Sequence, residues 1–321
     1  MNKEDWKKYK KYYNIELRYY LRRIQRKFNN VFLPGLRGQS LYSVGVLFIK
    51  GMQKGFIADR AAAVAFNIFT SLFPMLLIAF TIIPYVPFPN FQEELLGLIR
   101  SFLPEALWSV LETTITYIVT QKSGNWLSIG IVSSLYLSSN GIDSLLRSFS
   151  RTYHDQFGRF NGFQRRLMSF LVMIVFVLLL LFAIIIRVSD KYVVNYIVSK
   201  HVDLSNFLIF CVHAVNYLMS VFMMLLAVST LYRAAMKERR GVPIFTIGGT
   251  IATILLILTS YLFQIYIENF SLYNVLYGSL GTVLLLNAYL YLNSMFLIVG
   301  FDINASVYAA WKTSNQMNCN K

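Results

Sequence analysis

The chain has 321 residues, 56% of them hydrophobic and only 14% charged, with a formal net charge of +15. That balance lies outside the usual mix of soluble domains and excludes an ordinary water-facing globular fold. Its two cysteines, Cys211 and Cys319, build neither a disulfide framework nor a metal-ligand spacing.

In residues 1–33, Trp6, Tyr9, Tyr13, Leu17, Tyr20, Ile24 and Phe28 recur at intervals of three or four, with Lys7, Lys8, Lys11, Arg18, Arg22 and Arg26 between them. The pattern predicts a basic amphipathic helix, lying on a membrane surface or docked back on its own domain. Pro34 and Gly35 end it. Leu41 to Phe56 is too short to span and is expected to form an interfacial elbow. The largely polar residues ahead of the first long apolar stretch do not fit a cleaved secretory signal, so that stretch is expected to be an uncleaved anchor.

Six apolar stretches follow, at 61–86, 123–142, 167–186, 207–231, 244–267 and 276–301. Each reaches the ~20 residues of a spanning helix, and none contains Asp, Glu, Lys or Arg. The connecting segments are alternately basic and nearly free of Lys and Arg. All but five of the 30 basic residues share one side, the exceptions being Arg100, Lys122, Arg187, Lys191 and Lys200. Basic flanks stay in the cytoplasm, which predicts six spans with both termini inside.

Pro74 lies within the first stretch and should kink it, leaving Asn67, Thr70 and Ser71 to meet freed carbonyls or to line a cavity. Residues 88–122 repeat apolar residues at helical intervals on either side of Pro104. They predict two amphipathic helices on the outer face, as a lid or as simple interfacial packing. Gly130, Ser134 and Ser138 form a small-residue stripe suited to close helix packing. The deeper polar residues His213, Asn216, Gln264, Asn287 and Asn293 are expected to bond between helices. The expected fold is all-α and polytopic: a basic amphipathic region at 1–57, a six-helix membrane domain at 58–308, and a short cytoplasmic tail at 309–321.

With this topology Asp59, Arg60, Asp143, Arg147, Arg233 and Asp302 lie at one depth, at the inner ends of the spans. Acidic groups there need partners, so Asp143 and Asp302 are expected to pair with those arginines. The cluster is then a clasp of the bundle, or a site for an anionic headgroup or solute. Basic charge beside spans faces anionic lipid rather than nucleic acid.

Arg60 to Phe80, reading RAAAVAFNIFTSLFPMLLIAF, resembles the first span of the YihY/BrkB family of bacterial inner-membrane proteins. The matching positions are Ala63, Val64, Ala65, Phe66, Ser71, Leu72, Phe73 and Pro74. Leu103-Pro104, Ile142-Asp143-Ser144 and a closing set of Tyr277, Gly278, Tyr291, Gly300 and Asp302 follow in the family's order. Tyr289, Arg147 and Ser150 depart from its usual Trp, Asn and Trp. The resemblance covers about residues 40–308 and implies six spans with inside termini. Names attached to the family include virulence factor and, historically, ribonuclease BN.

A metal-dependent nuclease needs clustered His and Asp, whereas His154, His201 and His213 fall in an inner loop, an outer loop and a span. Neither a phosphate-cradling GxxxxGK[ST] loop nor a GxSxG elbow is present. The sequence therefore predicts no catalytic residue, cofactor or metal site. It points to a non-enzymatic protein of the bacterial inner membrane that transports or handles an envelope amphiphile, a lipid or lipid-linked precursor. A non-transporting envelope scaffold is the alternative, and the sequence leaves the oligomeric state open.

Overall fold

A long apolar chain in lipid must satisfy its backbone within itself, and a helix does so. Helices are the only regular structure among the described residues of the computed structural model: 36–82, 127–152, 160–199, 206–237, 243–269, 271–319, and isolated positions between 93 and 116. They run α1 (Leu41–Lys54), α2 (Ile57–Ile82), α3 (Leu127–Phe149), α4 (Gly162–Ser199), α5 (Asn206–Ala235), α6 (Ile247–Asn269) and α7 (Ser271–Cys319). The amphipathic helix expected at 1–33, most of the pair expected at 88–122 and the stretch 153–159 lie outside the described residues.

Ser40 caps α1, its hydroxyl accepting from the Ser43 N–H at 3.3 Å. The helix then breaks at Gly55 and Phe56, and α2 leaves at 69° to it. Phe56 sits at φ 45°, a strained value for a bulky side chain. The elbow is held on α7, where Leu36 and Val44 pack against Val307 and Ala310. Arg37 also lies 5.0 Å from the Trp311 ring centroid and 5.4 Å from that of Tyr308.

Helices α2 to α7 form a ring in which each packs on its neighbours in the chain and α7 closes back on α2. The amphipathicity is radial. On α4, Ser169, Val172, Met173, Val177 and Leu181 are buried, while Leu167, Leu171, Ile174, Leu178 and Phe182 face out. Exposed apolar side chains also cover α5 (Val215, Leu218, Phe222) and α6 (Ile254, Leu258, Leu262). Such a belt suits hydrocarbon, not water.

Among the described residues four segments are long and apolar enough to cross a membrane: Gly162–Ile186, His213–Ala235, Ile247–Tyr266 and Val283–Gln316. The bent pair α1 and α2 makes a fifth if taken as one span. The described residues thus give an integral membrane architecture of four to five candidate spans; the end of the first expected stretch, 83–86, and the start of the second, 123–126, lie outside them. Two helices run on past the apolar stretches they contain. Helix α4 continues to Ser199, taking Arg187 and Lys191 into the helix, and the expected tail at 309–321 is helical as far as Cys319.

Two close approaches fix the ring. A Cβ on Gly141 of α3 would lie 2.5 Å from Ser71 Oγ and 3.2 Å from Ile68 Cα of α2. On Gly300 of α7 it would lie 2.5 Å from Tyr232 Oη and 2.6 Å from the Gly248 carbonyl oxygen. Only glycine lets these backbones meet. Beside the second contact, Asn304 reaches from α7 to the start of α6. It accepts from Gly248 N at 2.9 Å and donates to Thr246 Oγ1 at 2.8 Å.

Candidate functional site

The alternating chain direction gathers the N-termini of α2, α4 and α6 and the C-termini of α3 and α5 at one end of the ring. Asp302 of α7 lies at the same level, and this is the basic end. Inside the ring lies a cavity of about 250 Å³ lined by side chains of α2 to α7, among them Ile68, Met75, Phe176, Met224, Leu256 and Leu297. Its lining is almost wholly apolar. Ser71 and Ser138 border it, but their hydroxyls donate to the Ile68 and Leu135 carbonyls of their own helices, at 2.9 and 3.0 Å.

Of the residues expected around Pro74, Ser71 borders this cavity, and Asn67, Thr70 and Pro74 are not among its lining residues. Asn67 Nδ2 donates to Ala63 O and Thr70 Oγ1 to Asn67 O, at 2.7 and 3.1 Å. Each side chain thus gives one hydrogen bond to a carbonyl of its own helix, about one turn back.

Toward the basic end, Phe149, Tyr232 and Phe301 form an aromatic layer. Phe149 stacks on Phe301 with centroids 4.5 Å apart, and Tyr232 meets both edge-on at 5.5 and 5.6 Å. Tyr232 Oη donates to the Leu297 carbonyl at 2.7 Å.

Beside this layer Arg60 and Asp302 pair at 3.3 Å, with side chains only 7% and 4% exposed. Arg60 Nε donates to Ser148 Oγ and Nη2 to Ser148 O, at 3.2 and 2.9 Å. Nη1 donates to Gly55 O at 3.2 Å, and both terminal nitrogens reach the Asp302 carboxylate. Every N–H of that guanidinium is spent. It pairs a buried charge and also satisfies carbonyls at the end of α3, where a cation is favoured. Thr152 Oγ1 lies 2.8 Å from both Asp302 Oδ1 and the Phe149 carbonyl.

A second centre joins α3 to α4. Asp143, 5% exposed, accepts from Arg147 on one oxygen and from Arg165 Nε on the other, the latter at 2.9 Å. Ser169 Oγ approaches at 3.4 Å. Burial pushes the Asp143 carboxyl up, but the Arg147 and Arg165 guanidiniums more than offset this and hold it below the ordinary carboxylate range. One residue along α4, Arg166 bonds Asn140 Oδ1 and Tyr136 O at 2.8 and 2.9 Å and lies 3.9 Å from the Tyr136 ring centroid.

Four of the six charged residues singled out in the sequence thus form two ion-paired centres, Arg60 with Asp302 and Arg147 with Asp143. Among the described residues no ion pair draws in the other two. Asp59 is exposed in the first turn of α2 and Arg233 half-buried in the last turn of α5, each at the helix end its charge complements. Arg165, Ser148 and Thr152 were not singled out. Arg165 carried one signal, a cation in the first turn of a helix that has no acidic residue there. No group of three or more His, Cys, Asp or Glu among the described residues is placed to share a metal ion.

The family profile described as Virulence factor BrkB matches residues 48–321, which takes in α2 through α7 and both ion-paired centres. The chain belongs to the BrkB family. A BrkB relative from Bacillus subtilis (strain 168), provisionally named ribonuclease-like protein YfkH, is 28% identical over 258 residues, covering 80% of this chain and 92% of its own. No solved structure matches. The BrkB assignment and the apolar helices together identify an integral, multi-pass membrane protein.

Proposed function

We propose that this BrkB protein is a non-enzymatic transporter or handler of an envelope amphiphile, a lipid or lipid-linked precursor. It works in the bacterial inner membrane with both termini in the cytoplasm, and the amphiphile's hydrocarbon part enters the central cavity. The cavity is the observation that carries this reading. Water there would find hardly a polar partner, so the space stays dry or takes hydrocarbon. The volume falls short of the ~300 Å³ at which sites for whole small ligands begin, which suits one chain of an amphiphile.

A phospholipid with a photoreactive acyl chain, added to the reconstituted full-length protein, tests it. Adducts are expected at Met75, Phe176 and Met224, lost when Ala227→Trp fills the cavity, together with lipid movement between leaflets. Adducts confined to outward positions such as Leu171 and Leu258 would refute it.

The envelope scaffold is kept as a second reading because Arg60 has no donor left for a ligand. A scaffold retains its cellular role in Ala227→Trp, whereas a transporter loses it. RNA cleavage by the purified protein supplied with divalent metal would replace both readings with the activity that the relative's name suggests.

A further inference from the structure

The arginines of the α3–α4 junction differ from Arg60 in one respect that decides what they can do. Arg60 is saturated. Arg147 gives only one N–H, from Nη2, to Asp143, and Arg165 gives only Nε. Their remaining N–H groups meet no acceptor among the described residues. Arg147 is half exposed, with 52% of its side-chain surface open, and Arg165 keeps 25%.

Both guanidiniums are anchored to the two oxygens of one buried carboxylate, which leaves their other donors for a further partner. Among the described residues one carboxylate is paired with both Arg147 and Arg165, and Arg151 is exposed just past the end of α3. Arg165 also lies in the first turn of the 38-residue α4, where the helix dipole is positive and a cation is disfavoured. A clasp between two helices needs one arginine for one aspartate. The second arginine, the open donors and the helix end are what an anion receptor requires.

We propose that Asp143, Arg147 and Arg165 form a receptor for a phosphate group, Asp143 holding the two guanidiniums as a fork that grips the phosphate oxygens. Asp143 is a positioning residue, and the arginines make the contact. The site stands apart from the central cavity, does not depend on the amphiphile reading, and would stand if the protein moved nothing. Its location at the basic end admits two sources of that chemistry, the phosphate of a membrane lipid and a soluble phosphate.

The test uses full-length protein in neutral detergent, titrated separately with phosphatidic acid and with inorganic phosphate, binding being read by native mass spectrometry and calorimetry. Arg147→Gln and Arg165→Gln are each expected to weaken binding about tenfold or more, the value of a charge-assisted hydrogen bond. Lys237→Gln removes an exposed cation at the same end and should change it less than about twofold, as screened surface charges do. Asp143→Asn separates a fork from a diffuse basic patch. A patch binds anions more tightly once the carboxylate charge is gone, whereas a fork loses affinity with its anchor.

Arg147→Gln alters a half-exposed side chain and keeps the test alive should Asp143→Asn fail to fold. Arginine-dependent binding of phosphatidic acid alone assigns a lipid headgroup. Arginine-dependent binding of inorganic phosphate alone assigns a soluble ligand, and of both a receptor that reads the phosphate group itself. Losses no larger than that of Lys237→Gln in both titrations, or tighter binding by Asp143→Asn, overturn the proposal.

Discussion

Replacing Arg60 by Met keeps a similar length of chain and removes the charge, which leaves Asp302 buried with Thr152 as its remaining side-chain partner among the hydrogen bonds described above. At 4% side-chain exposure, water offers Asp302 little compensation. Breaking a buried pair from one side costs about 3–5 kcal/mol, because the charge left behind stays desolvated. At ~1.4 kcal/mol per decade that is roughly a hundredfold to several-thousandfold fall in the folded-to-unfolded ratio. The double variant Arg60→Met/Asp302→Leu leaves no orphan charge and should be more stable than Arg60→Met alone. Equilibrium unfolding in mixed micelles, followed by far-ultraviolet circular dichroism, measures these two, Asp302→Leu alone and the unchanged protein, which closes the double-mutant cycle. A loss for Arg60→Met of less than about 1 kcal/mol, the range of an exposed pair, would refute the reasoning. So would a double variant whose loss equals the sum of the two single ones.

Gly300→Ala should destabilise by about 1–3 kcal/mol or more, since the added methyl lies 2.5 Å from Tyr232 Oη, 2.6 Å from Gly248 O and 2.7 Å from Ala252 Cβ. Tyr232→Phe in the same chain should recover part of that loss by removing the hydroxyl the methyl meets, which the same unfolding titration reads. The Asp143 carboxyl, held below its usual range by two arginines, sets a pH dependence. Its contribution to stability is complete above the ~3.9 of an unfolded Asp and is lost as pH falls through the lower folded value. Unfolding midpoints should therefore hold between pH 7 and 5 on this group's account and drop below about pH 4. The acid drop is expected to be shallower in Asp143→Asn.

Much of the helical layout was legible because apolar runs and basic flanks report on solvent rather than on tertiary packing. The stretches at 167–186, 207–231, 244–267 and 276–301 fall on α4, α5, α6 and α7. Ends were less legible: once a helix leaves the apolar layer, charge no longer opposes its continuation, and α4 carries Arg187 and Lys191 onward to Ser199. Within the site, the common depth of Arg60 and Asp302 followed from topology. Their pairing did not, because the rotation of each helix about its axis depends on contacts such as Gly300 with Gly248. Arg165 was hidden among loop arginines, since only the position where α4 begins distinguishes a fork from an anchor. Spacing alone did not show that Asn67 and Thr70 turn back to the Ala63 and Asn67 carbonyls of their own helix.

The Arg60–Asp302 pair joins an early part of the chain to a late one. The partners are 242 residues apart, on the first long helix and the last described one. At synthesis rates of ~5–20 residues per second, roughly 12–48 s pass between the two leaving the ribosome. Through that interval α2 lacks the carboxylate that Arg60 meets in the finished fold, and the ring closes only when α7 arrives.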